Sequence, residues 1–185
     1  TWESGKMIIP DSIKTLEDKI TYLRANRFIL FFKELELNFN SAVALNELYC
    51  SMLGVNIVEI ENAGKLLQEL YHHHEILIAT NGPKEAAINK LEKAKLMSYI
   101  SSRVCSEDVG FSKPMPEFFD CLYNKIQNKD KSRMLLIGDS LTTDVLGGMN
   151  NGIDTCWFNP NNSSLPDEYC PTMTINKLLQ LKKKL

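Results

Sequence analysis

Apolar residues recur at two different spacings along this chain, and the change between them falls near residue 60. Over the first 58 residues the spacing is helical. Ile13, Leu16, Ile20 and Leu23 fall three or four apart behind Pro10-Asp11-Ser12, which predicts a helix capped by Asp11 or Ser12 with one apolar face. Phe28, Ile29, Leu30, Phe31 and Phe32 form a dense cluster, expected where helices meet. Ser41 reads as the cap of a further helix, with Val43, Leu45, Leu48, Met52 and Leu53 as its apolar positions and Gly54 as its end. From Glu61 onward, helical spacings alternate with short apolar runs. Helices are predicted over 63–71, 83–96, 116–127 and 175–181, and strands over 75–80, 100–105, 134–137 and 155–158. Residues 159–171, rich in Asn, Ser and Pro, read as a loop. The alternation predicts an α/β fold, a parallel sheet flanked by helices.

The stretch from Met134 to Gly152 concentrates the signal. Met134 to Ile137 reads as a buried strand ended by Gly138. A polar loop with Asp139 and Asp144 follows, then a helix with Val145, Leu146 and Met149 facing inward and Gly152 as its stop. Carboxylates at the carboxyl end of a parallel strand lie where open α/β sheets place their ligands. Two hard oxygen ligands there suggest Mg²⁺. The same residues also suit plain capping, with Ser140, Thr142 or Asp144 serving the helix start. A carboxylate beside a buried strand needs a partner, which favours the functional reading.

Two further stretches carry candidate chemistry. Thr80-Asn81-Gly82-Pro83 ends one predicted strand and opens a helix, so a hydroxyl, free N–H groups and a helix dipole could meet an anion. The alternative is that Asn81 only caps the helix. Lys113 lies in Ser112-Lys113-Pro114-Met115-Pro116, where two prolines stiffen the backbone. It is read either as a point charge against phosphate or crowded carboxylates, or as a solvated surface lysine. His72-His73-His74 cannot all face one site and reads as a polar turn. Gly147 and Gly148 inside a helix read as close packing on the sheet.

Composition narrows the classes. The 185 residues suffice for one core, or a core with a small lobe. A formal net charge of −2 gives no reason to expect nucleic acid or an anionic membrane. No apolar run is long enough to cross a bilayer, and no signal peptide is visible. Five scattered cysteines without a Cys-x-x-Cys pair fit a reduced, cytoplasmic setting. The sequence begins at Thr1, so a removed segment or a fragment is expected.

The order of the pieces resembles the haloacid dehalogenase (HAD) superfamily, mostly Mg²⁺-dependent phosphatases. Thr80-Asn81-Gly82, Lys113-Pro114 with Phe118 and Phe119 behind it, and Gly138-Asp139-Ser140 with Asp144 look like its motifs two to four. Ser106-Glu107-Asp108-Val109-Gly110, residues 138–152 and Thr155-Cys156-Trp157-Phe158-Asn159 are similar to the YjjG-type pyrimidine 5′-nucleotidases. The resemblance implies a Rossmann-like core over 59–185 and a helical cap over 1–58, where Trp2-Glu3-Ser4-Gly5-Lys6 is similar to a stretch of such caps. It implies that Thr80 and the Asn81 backbone bind the phosphoryl group and that Lys113 neutralises charge. It implies that Asp139 holds Mg²⁺, while Asp144 supports the metal or orients Lys113. The substrate would be a phosphorylated small molecule such as a nucleoside monophosphate. One departure stands out: the family's first motif, Asp-x-Asp, occurs nowhere in the 185 residues. The expectation is a phosphatase chain without its nucleophile and without the central strand, between those ending at Thr80 and Asp139, that would carry it. Two other readings stay open: a metal-free 2-haloacid dehalogenase, and a non-catalytic binding or regulatory protein.

Overall fold

The computed structural model describes residues 2–3, 6–7 and 9–185, apart from 37, 39, 40, 54 and 56. The helix end expected at Gly54, and Ser4-Gly5 of the cap-like stretch, lie outside the described residues. Strands β1 (Trp2–Glu3) and β2 (Lys6–Met7) form a short antiparallel pair. Helix α1 (Leu16–Glu34) starts later than expected. Pro10 accepts from Ile13 N–H in a turn, and Thr15 is the cap, its Oγ1 accepting from Asp18 N–H at 3.1 Å. Asp11 and Ser12 precede that turn's exit and cap nothing. The phenylalanine cluster lies inside α1, where Phe28 meets Tyr49 of α2 (Ala42–Leu53) edge-on. Helix α2 buries Ala42 and Asn46, whereas Val43, Leu48 and Met52 face outward. Of the expected apolar positions Leu45 and Leu53 are half-buried and Val43, Leu48 and Met52 are not, so the inward face is only partly the expected one.

The remainder follows the alternation. Helix α3 (Ala63–Leu70) leads to β3 (Leu77–Thr80), then α4 (Lys84–Lys93), β4 (Ser102–Cys105), the single turn α5 (Ser106–Val109) and α6 (Pro116–Lys125). Strand β5 (Leu135–Gly138) runs through a π-turn (Leu141–Val145) into α7 (Leu146–Asn150) and β6 (Asp154–Phe158). Between α7 and β6 Gly152 has φ 67°, a conformation suited to glycine and in keeping with a helix stop. The helix expected over 175–181 is not formed as such: Ile175 ends strand β7 (Met173–Ile175), and only a 3-10 segment, Leu178–Lys183, follows. Three residues are too few for a period-two signal.

All core ladders are parallel, β3 with β4, β5 with β6 and β6 with β7. Among the described residues β3 and β5 share no ladder. The discontinuity falls between the strands ending at Thr80 and at Asp139. One apolar layer nonetheless serves both halves. Phe118, Phe119 and Leu122 of α6 pack with Val104 and Ile153, and Leu77, Ala79 and Leu136 close around them. Strand β5 is less buried than its apolar run suggests, with Ile137 40% exposed, because it has a ladder neighbour on one side only.

Candidate active site

At the end of β3 the chain makes a tight turn. Thr80 Oγ1 accepts from Gly82 N–H at 2.9 Å, which leaves the hydroxyl hydrogen free to donate. Pro83 stands immediately before α4, with no side-chain cap. The Asn81 side chain therefore does not cap α4. It clamps the lysine loop instead: Oδ1 accepts from Lys113 N–H at 2.8 Å and Nδ2 donates to Lys113 O at 3.0 Å. Ser106, fully buried, donates its hydroxyl to Asn81 O.

Lys113 is not a solvated lysine. It is 9% exposed and the Lys113–Pro114 peptide is cis. Its Nζ donates to Ala79 O at 2.8 Å and to Asp144 Oδ1 at 2.6 Å. Ala79 belongs to the end of β3. Asp144 stands directly over Gly138, the last residue of β5, where any Cβ would collide with its carboxylate. One ammonium thus joins the ends of both half-sheets, and of its three donors one is left over.

The Asp139–Asp144 loop combines capping contacts with one free carboxylate. Ser140 Oγ accepts from Thr143 N–H, and Asp144 Oδ2 accepts in return from Ser140 N–H at 3.2 Å. The Asp144 carboxylate is thereby engaged at both oxygens. Asp139 differs. Its carbonyl accepts from Trp157 Nε1 at 3.0 Å, which fixes the backbone, while its exposed carboxylate makes no hydrogen bond or ion pair among the described residues. A free carboxylate of this kind suits Mg²⁺, which commonly keeps its waters and takes only one or two protein carboxylates. No cluster of three or more His, Cys, Asp or Glu side chains forms among the described residues. His72, His73 and His74 lie exposed in a turn. Gly147 and Gly148 face Phe119 and Thr155 closely enough that a Cβ would collide with either, in keeping with a packing role.

Sequence reasoning singled out no role for Arg24 and Glu107. Arg24 of α1 forks onto Glu107 of α5, with Nε to Oε1 at 3.0 Å and Nη2 to Oε2 at 2.8 Å, and also reaches Glu85 at 3.1 Å. Glu107 Oε2 in addition accepts from Lys84 N–H, the first residue of α4. The Glu107 hydrogen bond pushes the Arg24 guanidinium further up from its already high value. Glu85 is held below the usual carboxylate range, first by its own backbone N–H at the helix start and then by Arg24. An acidic pair following an apolar strand was legible, but not its partner 83 residues away.

The model of haloacid dehalogenase-like hydrolases matches residues 19–158. This chain belongs to that family. The pyrimidine 5′-nucleotidase YjjG of Escherichia coli (strain K12) is 34% identical over 141 residues, 76% of this chain and 63% of that enzyme. The match thus spans less than two thirds of the enzyme's length. The HAD-hydrolase YfnB of Bacillus subtilis (strain 168) is 32% identical over 97% of this chain and 72% of its own. Its magnesium-bound crystal structure, described as revealing interdomain movement, superimposes with a TM-score of 0.75 at 26% identity, covering 96% of this chain and 84% of that one. A 2-haloacid dehalogenase from Pseudomonas syringae shares the fold at TM-score 0.68 and 22% identity, covering 89% and 70%. Family membership makes the chain a HAD-type hydrolase by resemblance, with phosphatases and nucleotidases among its sequence relatives. No helix among the described residues is long and apolar enough to cross a membrane.

Proposed function

We propose that this chain carries the phosphate-binding, lysine and metal-facing parts of a Mg²⁺-dependent phosphomonoesterase. Its substrate is a small phosphorylated molecule, a nucleoside monophosphate foremost, handled in the cytoplasm. The observation that supports this best is Lys113, buried and tied to the ends of both β3 and β5. In this reading Thr80 donates its hydroxyl, and Asn81 its backbone N–H, to phosphoryl oxygens. The spare Lys113 donor opposes the charge that grows on them. Asp144 holds that ammonium in place, and Asn81 holds the loop that presents it. Asp139 would hold Mg²⁺, which when bound supplies charge neutralisation and orientation of the phosphoryl group. Residues 1–58 act as a cap over the core of 59–185, and the interdomain movement described for the YfnB structure is carried over to that pair.

None of these positions is a nucleophile, and no Asp-x-Asp occurs in the sequence. Turnover is therefore expected only once a strand bearing that motif is supplied. The test has two arms. Inorganic phosphate should bind this chain more tightly with Mg²⁺ than without, and Thr80→Val and Asp139→Asn should each weaken that binding. A chain extended by an apolar strand ending in Asp-x-Asp-x-Thr should release phosphate from pyrimidine nucleoside monophosphates with Mg²⁺ alone as cofactor. Chloride release from 2-chloropropionate without metal would transfer the assignment to dehalogenation. Phosphate binding with no turnover in any extended chain would favour a binding or regulatory role.

A further inference from the structure

Between the helical pair α1–α2 and the loop at Thr80 run two sets of hydrogen bonds, joined by the adjacent residues Ser106 and Glu107 of α5, that the phosphatase reading does not use. The first begins at Arg24 in the middle of α1, with its side chain 26% exposed. It passes through the carboxylate of Glu107, a side chain 15% exposed, to the Lys84 N–H that opens α4. From the same short helix as Glu107, Ser106 reaches Asn81 O, and Asn81 clamps Lys113. Helix α2 lies beside α4, so the helical pair rests on the very element whose first N–H Glu107 holds. The carboxylate has three donors on its two oxygens: Arg24 Nε, Arg24 Nη2 and Lys84 N–H.

We propose that Arg24 is a positioning residue: through Glu107 it seats the helical pair on the core and orients the start of α4 behind the Thr80–Gly82 turn. The fork geometry makes this more than a surface ion pair. A bidentate guanidinium–carboxylate contact fixes the carboxylate plane as well as its distance, which a lysine could not do. Fixing that plane aims Oε2 at Lys84 N–H. Loss of the guanidinium frees Glu107 to rotate toward water, and the first turn of α4 loses its acceptor. Cap seating and loop order are thereby tied to one side chain. The inference rests on the phosphatase reading only where it calls the Thr80 turn a phosphate site.

The experiment is hydrogen exchange on the complete chain, paired with titration of inorganic phosphate. Arg24→Gln should speed exchange both in α1 and at Lys84 by about tenfold, the scale of one charge-assisted hydrogen bond. Arg24→Lys keeps the charge and loses the fork. It should fold, hold α1 nearly as before and still release Lys84. The exchanged pair Arg24→Glu with Glu107→Arg should restore protection of α1 and not of Lys84, because an arginine cannot accept from that N–H. Unchanged exchange at Lys84 in Arg24→Lys and in the exchanged pair would overturn the proposal. Phosphate should bind Arg24→Lys several-fold more weakly than the unaltered chain. If the unaltered chain binds no phosphate, the phosphatase reading fails, and the exchange data alone decide the role of Arg24.

Discussion

Lys113 and Asp144 meet at 2.6 Å with side chains 9% and 8% exposed, at the point where the parallel sheet is interrupted. The ammonium bonds the β3 carbonyl of Ala79, and the carboxylate covers Gly138 of β5. The pair therefore works in two ways. In the proposed function it holds a positive charge where the phosphoryl group would sit, and it ties together two half-sheets that also share the apolar layer around α6.

Removing one partner of this pair should be far worse than removing both. Asp144→Asn leaves a buried ammonium with a weaker acceptor, and Lys113→Met leaves a buried carboxylate. Each should cost about 3 kcal/mol or more of folding stability, the scale for a buried charge left alone. The double variant Lys113→Met with Asp144→Asn should recover a substantial part of that loss. Urea unfolding of the four chains gives the coupling energy directly. Additive losses would show that the two charges do not depend on one another.

Gly138→Ala should destabilise the chain although alanine ordinarily suits a strand better than glycine. The new Cβ would overlap the Asp144 carboxylate and its Cβ, and these belong to a side chain held at both oxygens. Relief requires moving Asp144 off Lys113, at a cost of about 1–3 kcal/mol. Gly152→Ala is a useful contrast, since nothing lies near its Cβ and only its φ of 67° opposes the change. The thermal midpoint should fall in both variants, but phosphate affinity should fall only in Gly138→Ala.

The alternation of helix and strand was legible because each apolar run and each amphipathic face is a local pattern. Thr80, Lys113 and Asp144 stood out as candidates because strand ends and proline-bounded loops mark themselves, but the residues alone left capping and surface readings open, and only the family resemblance supplied their expected roles. Partners were not. Asn81 looked like a helix cap because asparagine favours caps, yet its amide spans to a loop 32 residues on. The fork of Arg24 onto Glu107 joins residues that no periodicity relates. Helix α2 was read only in part for a different reason: Leu45 and Leu53 are half-buried as expected, but the most buried positions are Ala42 and Asn46, and which residues a helix buries depends on tertiary packing.

Burial sets the order in which the cysteines react. Cys170 is exposed, whereas Cys105 and Cys156 are buried and both have thiols pushed up by desolvation, Cys156 to about 11. At pH 8 a thiol of that kind is roughly one part in a thousand thiolate, so a thiol reagent should label Cys170 first and Cys156 last. The same shift predicts a pH effect. A group whose folded pKa is raised binds its proton more tightly in the native state. Its contribution is complete below the unfolded thiol value of about 9 and is lost as pH climbs toward 11. Urea midpoints should fall between those values, and Cys156→Val should flatten the decline.

The interruption of the sheet predicts how the isolated chain behaves in concentrated solution. Among the described residues β3 is paired only with β4, and β5 only with β6, so each has a ladder edge without a strand beside it. Ile137, in the middle of β5, adds exposed apolar surface there. Unpaired N–H and C=O groups next to an apolar side chain are the combination that recruits strands from other molecules. The scattering mass should therefore rise with protein concentration. Ile137→Lys should suppress that rise by placing a charge at the edge, with little effect on the folded monomer, since the position is already 40% exposed. A lysine at an equally exposed apolar position outside β5, Leu165→Lys, controls for charge alone. Equal suppression by both would mean that net charge, and not the open edge, governs association.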